Sequence, residues 1–231
     1  MVPARTVSGL LVVVALAGMP ARTRAEAVRA TAGAVGPAAA GVTTTVAPRV
    51  RAVTDEAFTP FASVGGVVLL HPSSRVEHVG FHQSNNDGAR PLTVLPTAVA
   101  PVTLEDRERD TDARTAADVV VDPDREIRSP VTGRVKRSGG YVLYCKYHDD
   151  YVVIEPDSHP GWEVKVLHID GVRVRAGHRV VGGTTVIAPG PARLPFGSQV
   201  DEVRTADPPW PHVHVEVVDP TIRDRPSPPC T

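Results

Sequence analysis

An all-β, mostly antiparallel fold is predicted for this chain by three observations. Short runs of β-branched and aromatic residues recur from Phe61 to Val218. Gly, Pro, Asn and Asp clusters punctuate them, and no stretch sustains an apolar period of 3.6 residues. The pattern is densest between Asp118 and Val218, where a sheet core of mostly antiparallel hairpins is expected.

In chain order, Arg5 precedes the apolar stretch Gly9 to Met19 (GLLVVVALAGM), and Thr23-Arg24-Ala25 follows a run of small residues. This arrangement suits an export signal spanning 1–25 and cleaved after Ala25. The apolar stretch is well short of the ~20 residues that span a bilayer, and no Cys lies just behind it for a lipid anchor. A secreted or cell-envelope protein without a stable membrane span is therefore expected. Residues 26–50 are Ala, Gly, Thr and Val with no large apolar side chains, a linker composition. The net charge of −1 and a pI near 6.8 give no electrostatic reason for binding nucleic acid or a membrane surface.

Within 51–113, Val67 to Leu70, the turn Pro72-Ser73-Ser74 and Arg75 to His82 read as a hairpin, and 83–113 reads as a long surface excursion. Loops of that length in a small domain are functional or mobile. From Asp118 onward, Val119 to Val121 leads to a turn at Asp122-Pro123-Asp124, and Ser129 to Val135 reads as a tight hairpin. Tyr141 to Tyr147 and Tyr151 to Glu155 flank a turn expected at His148-Asp149-Asp150. Further strands follow at Trp162 to His168, Val172 to Val174, Arg179 to Val181 and Thr184 to Ala188, before a last strand from His212. The Pro-rich tail, within 221–231, carries Cys230, which can pair with Cys145 in an oxidising compartment or leave both thiols unpaired.

The residues that carry chemistry are histidines. Pro211-His212-Val213-His214-Val215-Glu216 reads as a strand, so His212 and His214 share one face about 7 Å apart. Two imidazoles converging on one spot suit a metal or an acid/base site, although a bare His-x-His is also compatible with a solvated strand face. Val164, Val166 and His168 likewise alternate, so His168 is expected to end an apolar row. His71, His148, His159 and His178 lie beside turn signals and read as surface residues. Asp201 and Glu202 precede the last strand and read as solvated loop charges, with a cleft position as the alternative.

The succession SPVTGRV, YVVIEPDSHPGWEVKVLHIDGVRVRAGHRVVGGTTVI and PHVHVEVVDP, across roughly residues 114–220, resembles the lysostaphin-type peptidoglycan endopeptidases. These are bacterial zinc peptidases with a β-sheet core. The resemblance implies a zinc site built from a His-x-x-x-Asp segment and the second His of His-x-His. Carried over, Asp118 and His214 would be metal ligands, and His168 and His212 catalytic. The implied substrate is the cross-linking peptide of peptidoglycan.

The sequence departs from that pattern at Arg114, which stands where the first ligand His belongs, four residues before Asp118. A guanidinium has no lone pair for a metal, and two ligands are too few for catalytic zinc. Two outcomes follow. In one, His82 supplies the missing ligand, with His78 on the same strand face, and the protein is a zinc hydrolase. In the other, Arg114 pairs with Asp118, no metal binds, and the protein binds peptidoglycan or regulates a separate cell-wall hydrolase.

Overall fold

The computed structural model describes residues 50–226, apart from 56, 204 and 205. The expected export signal, nearly all of the linker and Cys230 lie outside the described residues. Cys145 is disulfide-bonded. No helix among the described residues is long and apolar enough to cross a membrane.

The described residues form strands β1 (Thr54–Asp55), β2 (Pro60–Val64), β3 (Val67–Leu70), β4 (Arg75–His82), β5 (Thr93–Val94), β6 (Pro101–Thr103), β7 (Ala116–Val121), β8 (Ile127–Arg128), β9 (Gly133–Leu143) and β10 (Tyr147–Pro156). They continue with β11 (Glu163–Asp170), β12 (Arg179–Val180), β13 (Val186–Ala188), β14 (Gly190–Pro191) and β15 (His212–Val218), and a 3-10 helix covers Gln199–Val203. The fold is all-β, as the sequence predicts. A ten-stranded sheet follows the order β1-β4-β7-β15-β11-β10-β9-β12, with β14 joined to β11 and β6 to β4. Smaller sheets are formed by β3-β2-β5 and by β13-β8. Every pairing among these strands is antiparallel except β4 with β6.

Alternation along the central strands separates the core from the site. On β15, Val213, Val215 and Val217 enter the main hydrophobic core, while His212, His214 and Glu216 take the other face. On β7, Ala117, Val119 and Val121 point to the core, opposite Asp118 and Val120. Phe61, Val67 and Leu69 of the small sheet complete this core with Phe81, Val152, Ile154, Val164 and Val166. Each buried valine contributes about 1.5–3 kcal/mol. A one-residue register slip on β15 would drive three polar side chains into the apolar core and turn three valines to the site face, so the core fixes which way the site faces.

Strand β4 keeps its facing through an irregularity. Val76 pairs with Val121 and His78 with Val120, with a register shift between them. Val76, Val79 and Phe81 thereby all reach the core, leaving Gly80 and His82 on the site face. Gly80 is needed there, because a Cβ would lie 2.9 Å from Leu104 Cδ1 and 2.9 Å from Val200 Cγ2. Those two side chains and Val120 form a second small core beside the site, with Val203 and Trp210 packed against it.

Three local expectations are corrected. Strands β3 and β4 do not form a hairpin: β3 pairs with β2, across the Gly65-Gly66 turn, while β4 enters the large sheet. The Ser129 to Val135 segment is not a hairpin either, since β8 pairs with β13 and β9 with β10. The turn expected at His148 to Asp150 sits earlier, where Tyr144 and Cys145 have φ of 50° and 58°. Residues 148–150 are thus inside β10.

Candidate metal centre

The adjacency of β4, β7 and β15 assembles the site. His214 pairs directly with Asp118, as does Gly80, which places His82 one step along on the neighbouring strand. Asp118 Oδ1 lies 3.1 Å from His82 Nε2 and 2.9 Å from His214 Nδ1. One ligand atom from each of His82, Asp118 and His214 falls within 4.8 Å of the others. His82 and Asp118 are buried and His214 is nearly so.

The hydrogen bonds around this trio fit a cation. His82 Nδ1 lies 2.8 Å from the carbonyl of Gln83. A carbonyl only accepts, so Nδ1 carries a proton and Nε2 is the ring atom turned toward the site, where a ring with that single proton offers a lone pair. Among the described residues that buried Nε2 faces the Asp118 carboxylate oxygen and no other polar partner. Two acceptors at this separation repel unless a cation or proton lies between them. Two imidazoles and one carboxylate are the donor set of a three-ligand zinc site that leaves a position open.

Glu216 backs the candidate ligand on β15, His214. Its Oε2 is 3.6 Å from His214 Nε2, Lys165 Nζ holds its other oxygen at 3.0 Å, and Ser84 Oγ donates to it. A carboxylate behind a ligating histidine fixes the ring and raises its basicity. Burial disfavours charge on His214, but its bonds to Asp118 and Glu216 win and push its pKa up to about 9. Burial also opposes ionisation of Glu216, yet His214 and Lys165 bring it down to about 2. For Asp118 burial is again outweighed, by His82, His212 and His214, which hold the carboxyl well below its usual range.

Two further histidines stand beside the trio. The His168 ring centroid is 5.1 Å from that of His212 and 5.9 Å from that of His214. His168 does not share a face with Val164 and Val166, contrary to the simple alternation. Asp150 pairs with Ile169 and Tyr151 with Leu167, so His168 is the extra residue of a β-bulge, with φ 61°. The bulge sends Ile169 into the core and turns His168 to the site face. A left-handed conformation costs a non-glycine residue roughly 1–2 kcal/mol, and Asp149 compensates. Its Oδ2 lies 2.7 Å from His168 Nδ1 and also accepts from the Tyr141 hydroxyl.

Asp149 is buried, which opposes its charge, but the bond from His168 prevails and lowers its pKa. An ionised Asp149 keeps the proton on His168 Nδ1 and leaves Nε2 to act in the site. On His212 burial dominates and lowers the pKa to about 4, so this ring is neutral at pH 7. Its Nδ1 lies 3.4 Å from Ser198 Oγ and its Nε2 3.7 Å from Asp118 Oδ2. The carboxylate near Nε2 favours the proton of the neutral ring there, with Nδ1 then accepting from the Ser198 hydroxyl.

All five residues singled out in the sequence, His82, Asp118, His168, His212 and His214, therefore converge. Arg114 is exposed and makes no ion pair with Asp118 among the described residues. His78 lies toward Val120 rather than in the trio. His71 is not a surface residue: it is fully buried, stacked on Phe61 at 5.0 Å between ring centroids. Asp201 lines a cleft beside His212, walled by Leu194, Phe196, Pro209 and Trp210. Sequence reasoning missed Glu216 and Asp149. The first was legible as the third polar residue of the alternation begun by His212 and His214, and the second was hidden in an apparent turn. No family model matches the chain, and no curated protein or solved structure matches it.

Proposed function

We propose that this protein is an exported, zinc-dependent peptide-bond hydrolase acting on the cross-linking peptides of bacterial peptidoglycan. The observation that carries the reading is the buried convergence of His82 Nε2, Asp118 Oδ1 and His214 Nδ1, whose ligand atoms all fall within 4.8 Å of one another. Three such ligands suit catalytic zinc. The resemblance of residues 114–220 to lysostaphin-type endopeptidases supports the substrate class, and the N-terminal signal pattern supports an extracytoplasmic location. The rival reading, a metal-free module that binds peptidoglycan or regulates a separate hydrolase, called for an Arg114–Asp118 ion pair, which is not found.

Zinc held by the trio would act as a Lewis acid and supply a water nucleophile at neutral pH. The flanking histidines divide the remaining work. His168, protonated at Nδ1 by its bond to Asp149, has Nε2 free to take a proton, and the Asp149 carboxylate offsets the charge that appears on the ring. His212, neutral with its proton on Nε2, donates a hydrogen bond to the oxygen on which negative charge develops. His168 then returns its proton to the leaving amine.

The test is digestion of purified cross-linked peptidoglycan by residues 26–231, following new amino groups. Release should proceed with zinc and stop with a chelator or with His214→Ala. A folded, zinc-loaded sample that releases none would refute hydrolysis of this substrate.

A further inference from the structure

The segment between β6 and β7 is pinned beside the candidate metal ligands by Gln83 and Arg225. Gln83, the buried residue after His82, accepts at Oε1 from the backbone N–H of Arg107 (2.8 Å) and of Arg109 (3.3 Å). Its Nε2 donates to the carbonyl of Thr111 at 2.9 Å. From the other side, Arg225 Nη2 donates to the carbonyl of Arg109 at 3.1 Å. The backbone at 109 is thus fixed at both its donor and its acceptor.

What this frame presents is the Arg109 guanidinium. Its Nη1 donates to the Gln83 carbonyl at 2.8 Å, the same oxygen that receives His82 Nδ1. The cation is therefore one shared carbonyl away from a metal ligand, and it is half-buried. A guanidinium has five N–H donors, and the rest of Arg109's find no acceptor among the described residues. The carboxylates in its field, Asp118 and Glu216, are already committed to histidines, Ser84 and Lys165. The fork geometry of an unspent guanidinium matches a carboxylate held by two parallel bonds.

We propose that Arg109 is a substrate-anchoring residue that binds a carboxylate of the peptide whose bond is cut. This rests on the hydrolase reading for the word substrate, but the contact itself is independent of turnover. The carboxylate is either a chain terminus or an acidic side chain.

The test uses the zinc-loaded chain and three matched short peptides: one with a free C-terminus and no acidic side chain, one amidated with an acidic side chain, and one fully neutral. Wild type should favour at least one carboxylate peptide over the neutral one, and that arm names the source. Arg109→Met should raise KM for that peptide about 10–100-fold, a far larger change than for the neutral peptide, and Arg109→Lys should restore part of the loss. Equal loss for charged and neutral peptides would mean that Arg109 only clamps the loop, and undiminished preference in Arg109→Met would also overturn the proposal. Peptide affinity of the chelator-treated protein, read by tryptophan fluorescence, reports the same preference without catalysis. If no peptide is cut, the hydrolase reading fails while this binding arm still decides the role of Arg109.

Discussion

Glu216→Gln separates holding a metal from merely placing two histidines together. The carboxylate is buried, 3.6 Å behind His214 Nε2, and clamped by Ser84 and Lys165. Glutamine keeps its shape and can still accept from Nε2, but it brings no charge to raise the basicity of the ring, and its amide N–H₂ has no acceptor to meet on Lys165. Loss of such a partner costs metal affinity about 10–100-fold, or roughly 1.4–2.7 kcal/mol. Zinc affinity would be measured in competition with a chelator of known strength, with circular dichroism to confirm an intact sheet. A folded Glu216→Gln variant that binds zinc as tightly as wild type would refute the orienting role.

Asp149→Asn should leave zinc content unchanged and lower kcat about 10²–10⁴-fold, because an amide N–H₂ facing His168 Nδ1 favours the wrong tautomer; unaltered kcat in steady-state assays would remove His168 as the base. Away from the site, Glu163→Gln should lower the melting temperature at pH 7, since Glu163 is buried and accepts from Arg137 at 2.8 and 2.6 Å and from Lys136 at 3.2 Å. The bond from Arg137 leads the causes that lower its folded pKa below 4.5, so this stabilisation is present above that value and lost as pH falls through the lower folded one. Melting curves of the two proteins should therefore converge in acid, and a constant gap down to pH 2 would contradict the pairing.

How much of this was legible in the sequence depended on whether strand alternation held. On β15 it held, so His212 and His214 were placed on one face correctly, and Glu216 could have been added by the same rule. His82 was reachable because the sequence lacked a histidine at Arg114 and a strand ending in His82 lay upstream. Its proximity to Asp118 depends on β4 pairing with β7 across the long loop, a contact that no local pattern encodes. At His168 alternation failed, because one inserted residue in β11 reverses the facing of everything after it, and a bulge leaves no reliable mark on composition. Asp149 was obscured by turn-forming neighbours: His148-Asp149-Asp150 looks like a loop, yet the chain reverses at Tyr144 and Cys145, which adopt positive φ without a glycine. The β3 and β4 segments were each recognisable as strands, but adjacency in sequence wrongly suggested a hairpin when the two enter different sheets.

The proposal that His82 completes a zinc site with Asp118 and His214 is tested most directly by zinc content. Wild type, His82→Ala, His214→Ala and Arg114→Ala, each dialysed against a weak chelator, would be analysed for metal by elemental analysis alongside a check of fold. About one zinc per chain is expected in wild type and in Arg114→Ala, and none in either histidine variant. A folded His82→Ala protein that keeps its full zinc, or a folded wild type that takes up none when zinc is supplied, would contradict the site described here.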